Sequence, residues 1–195
     1  YVGKHKLDKR VEKNLELVEK FIDLGVPRKQ VFISGHSCGG LLTLMLLSAH
    51  PKKVGGGISY VQACFGKLSS RYKVKKVGPN EALAKFAKKY PGPAELRARQ
   101  INNIKQSNNV SVLAFTHPKD KWEGLLSDWL EEVPGVKRIV ISEDYTINGK
   151  SCLVKGNNWQ ENISARKNPG HEMNQGLCFQ YYNSTILKYI ASRLK

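Results

Sequence analysis

No apolar run in the sequence approaches the roughly 20 residues needed to cross a bilayer. The longest, Leu41 to Leu47, contains Thr43 and is about two helical turns long. No helical membrane span is therefore expected. The first ten residues, YVGKHKLDKR, hold no apolar core of the signal-peptide kind. The cysteines Cys38, Cys64, Cys152 and Cys178 form no CxxC pair, which leaves zinc and thioredoxin-type chemistry unsupported. Cys152 and Cys178 are candidates to pair if the protein is secreted. Internal repeats and low-complexity linkers are also missing. Acidic residues are scarce, with 16 Asp and Glu against 32 Lys and Arg, for a net charge of +16. Such a surplus invites phosphate binding. The cations are scattered, however, mostly lysine, and attached to no nucleic-acid motif. A solvated cationic surface accounts for them, and no nucleic-acid partner is expected.

At 195 residues the chain suits a single domain with its own core. In residues 8–24, Val11, Leu15, Val18, Phe21 and Ile22 recur at helical spacing, and Gly25 and Pro27 close the helix. Val31 to Ser34 reads as a buried strand, Gly35 to Gly40 as a turn, and Leu41 to Ala49 as an apolar helix. Further strands are expected over 58–62, 110–115 and 136–142. Helices are expected near 80–90 with Asn80 as N-cap, from Pro93 to about Gln106, over 123–132, and over about 177–194, where Leu177, Tyr181, Ile186, Leu187 and Ile190 form the apolar side. Asn148-Gly149 signals a hairpin turn, and 155–176 reads as a polar loop. Strands alternating with helices imply an α/β fold with a mainly parallel sheet flanked by helices. Segment 66–109, Lys- and Arg-rich, is either a lid over the site or a set of crossover helices.

The chemistry concentrates at Gly35-His36-Ser37-Cys38-Gly39, which fits G-x-S-x-G and lies directly between a strand and an apolar helix. That is the placement a nucleophile elbow requires. The turn is tight, so the expectation is that Gly35 and Gly39, two positions either side of Ser37, must lack a bulky Cβ. The helix start aims free N–H groups at the reacting oxygen, and the Cys38 N–H is the expected oxyanion donor. A plain glycine-rich turn is the bland alternative. Serine alone is a poor nucleophile, so an acid and a histidine should follow it in that order.

His171, in Asn168-Pro169-Gly170-His171 just ahead of the last helix, is the expected base. His117, immediately after a strand, is its weaker rival, and His36 should pack beside the serine. For the acid, Asp120 in THPKDKW can accept the histidine's Nδ1–H and fix its tautomer. Asp144 is the runner-up. Asp128 falls within a helical stretch, and Glu172 adjoins His171 too closely to orient it. Neither metal nor organic cofactor is implied.

Gly35-His36-Ser37-Cys38-Gly39-Gly40, followed by Asp120 and by Gly170-His171 before a terminal helix, resembles the C-terminal part of the α/β-hydrolase superfamily. The G-x-S-x-G-G form is shared by dienelactone-hydrolase-like proteins and by prolyl-oligopeptidase-type peptidases. The resemblance implies an α/β-hydrolase fold and a serine hydrolase, carboxylesterase-like, acting on a small-molecule ester through a Ser37-Asp120-His171 triad. Dienelactone hydrolases proper carry a cysteine nucleophile, so Ser37 points away from dienelactone itself. Family members usually have several strands before the elbow, one of which leads into the second oxyanion donor. Only residues 1–34 precede the motif here, and the expectation is that an N-terminal part is missing. A prolyl-oligopeptidase-type peptidase and a catalytically silent scaffold that binds a partner are the rival readings.

Overall fold

The computed structural model describes residues 7–65, 68–141, 146–147, 150–151, 168, 170–171 and 177–195, with backbone only for 146–147, 150–151 and 177–181. Four short strands, β1 (Phe32–His36), β2 (Gly56–Tyr60), β3 (Val112–Thr116) and β4 (Val136–Val140), form a parallel sheet in chain order. Phe32 is level with Gly56, Gly57 with Val112, and Val112 with Val136. This register brings all four C-terminal strand ends to one edge. Every residue of the two central strands is buried, whereas the outer strands are partly open. Parallel strands covered on both faces read as continuous apolar runs for this reason.

Helix α1 (Leu7–Asp23) precedes the sheet, and α2 (Cys38–Ala49) joins β1 to β2. α2 is apolar all round because it contacts β1 and β2 on one side and α1 and α6 on the other. Leu44, Leu46 and Leu47 on it are fully buried. Between β2 and β3 run α3 (Leu68–Arg71), α4 (Val74–Val77), α5 (Pro79–Lys89) and α6 (Pro91–Lys105). Their Leu68, Val74, Ala82, Phe86 and Leu96 join the main core with α1 and α2. The terminal helix α7 (Leu177–Leu194) builds a second core with Ile58, Tyr60, Leu113, Phe115 and Ile141. Its Tyr189 hydroxyl donates to the Ser111 carbonyl at 2.7 Å and accepts the Gly57 N–H at 3.3 Å, fixing the helix to two strand starts.

Several local expectations need correction. Residues 123–132 form two 3₁₀ segments, Gly124–Leu126 and Asp128–Glu132, in place of one α-helix. The Leu126 N–H bonds to Glu123 O and the Leu130 N–H to Ser127 O, while the Ser127 hydroxyl also takes Glu123 O. A side chain competing for backbone carbonyls breaks the i to i−4 ladder. Asn80 is not the cap of α5: Gly78, at φ 84, occupies that position and Pro79 opens the helix. Phe21 and Leu187 were expected on apolar faces but are 53% and 66% exposed. The elements that carry them present more apolar surface than the core covers. Asn148-Gly149 and Asp144 lie outside the described residues, although β5 (Thr146–Ile147) and β6 (Lys150–Ser151) pair antiparallel across the expected turn. Nearly all of 155–176 is outside them too. Among the described residues no helix is long and apolar enough to cross a membrane.

Candidate active site

Ser37 sits on the step between β1 and α2 with φ 59 and ψ −122, a conformation that is uncommon for a residue with a Cβ. The step is sharp because Gly35 and the first turn of α2 nearly touch: a Cβ on Gly35 would collide with the Gly39 carbonyl. A Cβ on Gly39, by contrast, would meet nothing within 4 Å. The steric demand expected there belongs to Gly40, where a Cβ would lie 2.9 Å from both Ser59 Oγ and Tyr60 O. The Ser37 N–H donates to Tyr60 O at 3.0 Å, which ties the turn to the end of β2.

The structure brings Ser37, His171 and Asp120 into one hydrogen-bonded chain. Ser37 Oγ is 2.9 Å from His171 Nε2, and His171 Nδ1 is 3.1 Å from Asp120 Oδ1. His171 and Asp120 are each 1% exposed. Asp120 Oδ1 also accepts the Trp122 N–H and an Asn168 Nδ2–H, both at 2.9 Å. An oxygen surrounded by donors stays the acceptor, so the His171 proton belongs on Nδ1 and Nε2 faces the serine with its lone pair. The Ser37 hydroxyl has a second acceptor within reach, Ala63 O at 2.9 Å. One proton cannot serve both bonds at once.

The support around His171 is dense. Its ring packs against Trp122, centroids 4.0 Å apart, and against His36 at 4.8 Å. His36 Nε2 donates to the His171 carbonyl at 2.6 Å, so His36 contacts the histidine loop as well as standing beside Ser37 in sequence. Asn168 holds both sides of the Asp120 loop: its Oδ1 accepts the Lys121 N–H at 2.8 Å, and its carbonyl accepts the His171 N–H at 3.0 Å. Gly170 presses on the same loop, where any Cβ would strike the Asp120 nitrogen. His117 is fully buried at the end of β3, with Nδ1 accepting the Lys119 N–H. It shapes the Asp120 turn and is not within the serine's hydrogen-bonding set. Asp128 is an ion-pair partner of Arg138, 2.9 Å away.

Sequence reasoning missed the pairing of Cys38 with Cys64 in a disulfide. The side chains of Cys152 and Cys178 lie outside the described residues. The disulfide links the residue after Ser37 to the loop that presents Ala63 O. Glu123 holds the same loop from behind: its Oε1 accepts the Cys64 and Phe65 N–H groups at 3.2 and 3.0 Å. Its Oε2 accepts Arg97 Nε at 3.1 Å in an ion pair whose side chains are only 9% and 7% exposed. Val61, at the start of this loop, has φ 40, a costly conformation for a β-branched residue. The signal available in the sequence was positional. Both cysteines fall just past the ends of strands that turn out to be neighbours, and only the register makes them adjacent. Among the described residues no cluster of His, Cys, Asp or Glu could hold a metal ion.

No family model matches this chain, and neither does any curated protein. Solved structures do. One is a serine hydrolase from the polyaromatic-hydrocarbon-degrading bacterium Cycloclasticus zankles, 17% identical, with 71% of this chain and 63% of that one covered and a TM-score of 0.43. Another is a carboxylesterase of the ammonia-oxidizing thaumarchaeon Nitrososphaera gargenis, at 15% identity, 69% and 62% coverage and a TM-score of 0.41. The matched region thus spans less than two thirds of either protein.

Proposed function

We propose that the chain is the catalytic portion of an α/β-hydrolase-type serine esterase that cleaves a carboxylic ester through an acyl-enzyme on Ser37. The observation that carries this reading is the hydrogen-bonded chain Ser37–His171–Asp120 at a strained strand-to-helix turn. In the proposed cycle the Ser37 proton turns from Ala63 O to His171 Nε2 as Oγ attacks the ester carbonyl. Oγ forms a bond to carbon, and the proton passes to Nε2. The imidazolium is stabilised by Asp120, whose Oδ1 is held in place by the Trp122 and Asn168 donors. The oxyanion develops at the start of α2, where the first N–H groups of a helix have no intrahelical partner. Cys38 N–H is the donor assigned to it. Collapse expels the alkoxide, which takes the proton from Nε2. Water, deprotonated by His171, then releases the acyl group as a carboxylate and restores Ser37.

Hydrolysis of 4-nitrophenyl acetate, followed before the steady state, tests the reading. An initial burst of nitrophenol stoichiometric with enzyme, abolished in Ser37→Ala, is expected of an acyl-enzyme. Turnover that persists in Ser37→Ala would remove it.

A further inference from the structure

The cycle proposed above requires His171 to carry a positive charge each time it holds the serine or water proton. His171 is 1% exposed, so water does little to hydrate that charge. Asp120 supplies a counter-charge at Nδ1, 3.1 Å away. A second group lies against the ring itself. The centroid of the Trp122 ring is 4.0 Å from that of His171, with the planes at 47°. Rings meeting edge to edge could not come so close, so the imidazole lies against the indole face. A cation within about 6 Å of an aromatic centroid is attracted by the negative face of the ring, most strongly by that of indole. A neutral imidazole gains much less. The contact therefore strengthens as Ser37 gives up its proton, and only interactions of that kind speed a chemical step.

The backbone holds Trp122 in this place from both sides. Its N–H donates to Asp120 Oδ1 at 2.9 Å, and its carbonyl accepts the Ser69 N–H of α3 at 2.8 Å. Lys121 O, one residue earlier, accepts the Ser70 N–H at 2.8 Å. Acid and aromatic thus ride on one turn that is anchored to α3. We propose that Trp122 is a positioning residue of the reaction, whose indole face holds His171 and favours its imidazolium over the neutral ring. The assignment rests on the serine-hydrolase reading.

Steady-state kinetics on 4-nitrophenyl acetate with Trp122 varied tests the role. Trp122→Leu keeps an apolar side chain but no π face, and should lower kcat about tenfold while KM stays within about twofold. Trp122→Phe should recover most of the loss. Biosynthetic incorporation of mono- and difluorotryptophan draws electrons from the indole face at almost constant size, so kcat should fall stepwise with each fluorine. The chain has 3 tryptophans, and the same series in Trp122→Phe, where kcat should not respond, assigns the effect to this one. A side chain that only fills space would give equal losses for Leu and Phe and no response to fluorine; either result overturns the proposal. So does a loss that falls on KM alone. Wild-type turnover that Trp122→Leu leaves unchanged removes the role of Trp122 and spares the hydrolase reading. A folded wild-type protein with neither turnover nor fluorophosphonate label on Ser37 removes both.

Discussion

Breaking the Cys38–Cys64 disulfide in a Cys38→Ala/Cys64→Ala variant should lower stability substantially without abolishing the fold. The bridge closes a segment with a sequence separation of 26. The chain-entropy relation gives about 3.5 kcal/mol for a loop of that length. Domain stabilities run from about 5 to 15 kcal/mol, so the loss is large but survivable. The elbow keeps its bond from Ser37 N–H to Tyr60 O, and the 63–65 loop keeps its two bonds to Glu123. What goes is the direct coupling of Cys38, the proposed oxyanion donor, to the loop facing the serine. A displacement of about 1 Å at that point would slow acylation by up to about 10²-fold. Urea unfolding followed by circular dichroism measures the first effect, and the rate of fluorophosphonate labelling the second. A stability change under about 1 kcal/mol together with unchanged labelling would refute the reasoning, because neither loop closure nor positioning would then depend on the bridge.

Asp120→Asn should preserve the fold and lower kcat by about 10⁴-fold with little change in KM, since the imidazolium loses its counter-charge; steady-state kinetics on a 4-nitrophenyl ester checks this. Glu123→Ala should cost about 3–5 kcal/mol in urea unfolding, because Arg97 is left charged and buried. Arg97→Met/Glu123→Gln, which removes the charge pair but keeps a carbonyl for the Cys64 and Phe65 N–H groups, should recover a good part of the loss. Burial pushes the Tyr60 hydroxyl from 10.0 up to about 12. The stability gained by keeping it protonated is complete below about pH 10 and disappears as pH rises through about 12, because the unfolded chain releases this proton first. Burial also raises the Tyr189 hydroxyl, so a spectrophotometric titration of tyrosinate should show more than one delayed ionisation, of which Tyr60→Phe removes the component near pH 12.

The features legible in the sequence were those set by local chemistry. A short apolar strand, a Gly-x-Ser-x-Gly-Gly turn and an apolar helix fall within residues 31–49, so β1, Ser37 and α2 could be placed with no knowledge of the rest. Asp120 and His171 could be singled out because each adjoins a recognisable element end. The helix at 177–194 and the parallel order of the strands followed from periodicity and alternation. What escaped depended on register or on competition between groups. Cys38 meets Cys64, and Glu123 meets two N–H groups some sixty positions earlier, only after β1, β2 and β3 are aligned. Gly40 in place of Gly39 bears the close approach because α2 begins already at Cys38, turning Gly40 toward the end of β2. The Ser127 hydroxyl decided the 3₁₀ geometry of 123–132 against an apolar pattern that reads as α-helix. Asn168 showed only as part of a polar loop, yet it joins the Asp120 turn to the histidine backbone.

Fluorophosphonate labelling followed by peptide mapping tests the central claim most directly, because the probe reports an activated serine whatever the natural ester. The account predicts covalent label on Ser37 of the folded protein, lost on heating and in His171→Ala. A folded protein that takes no label, or that carries it on another serine, would contradict it.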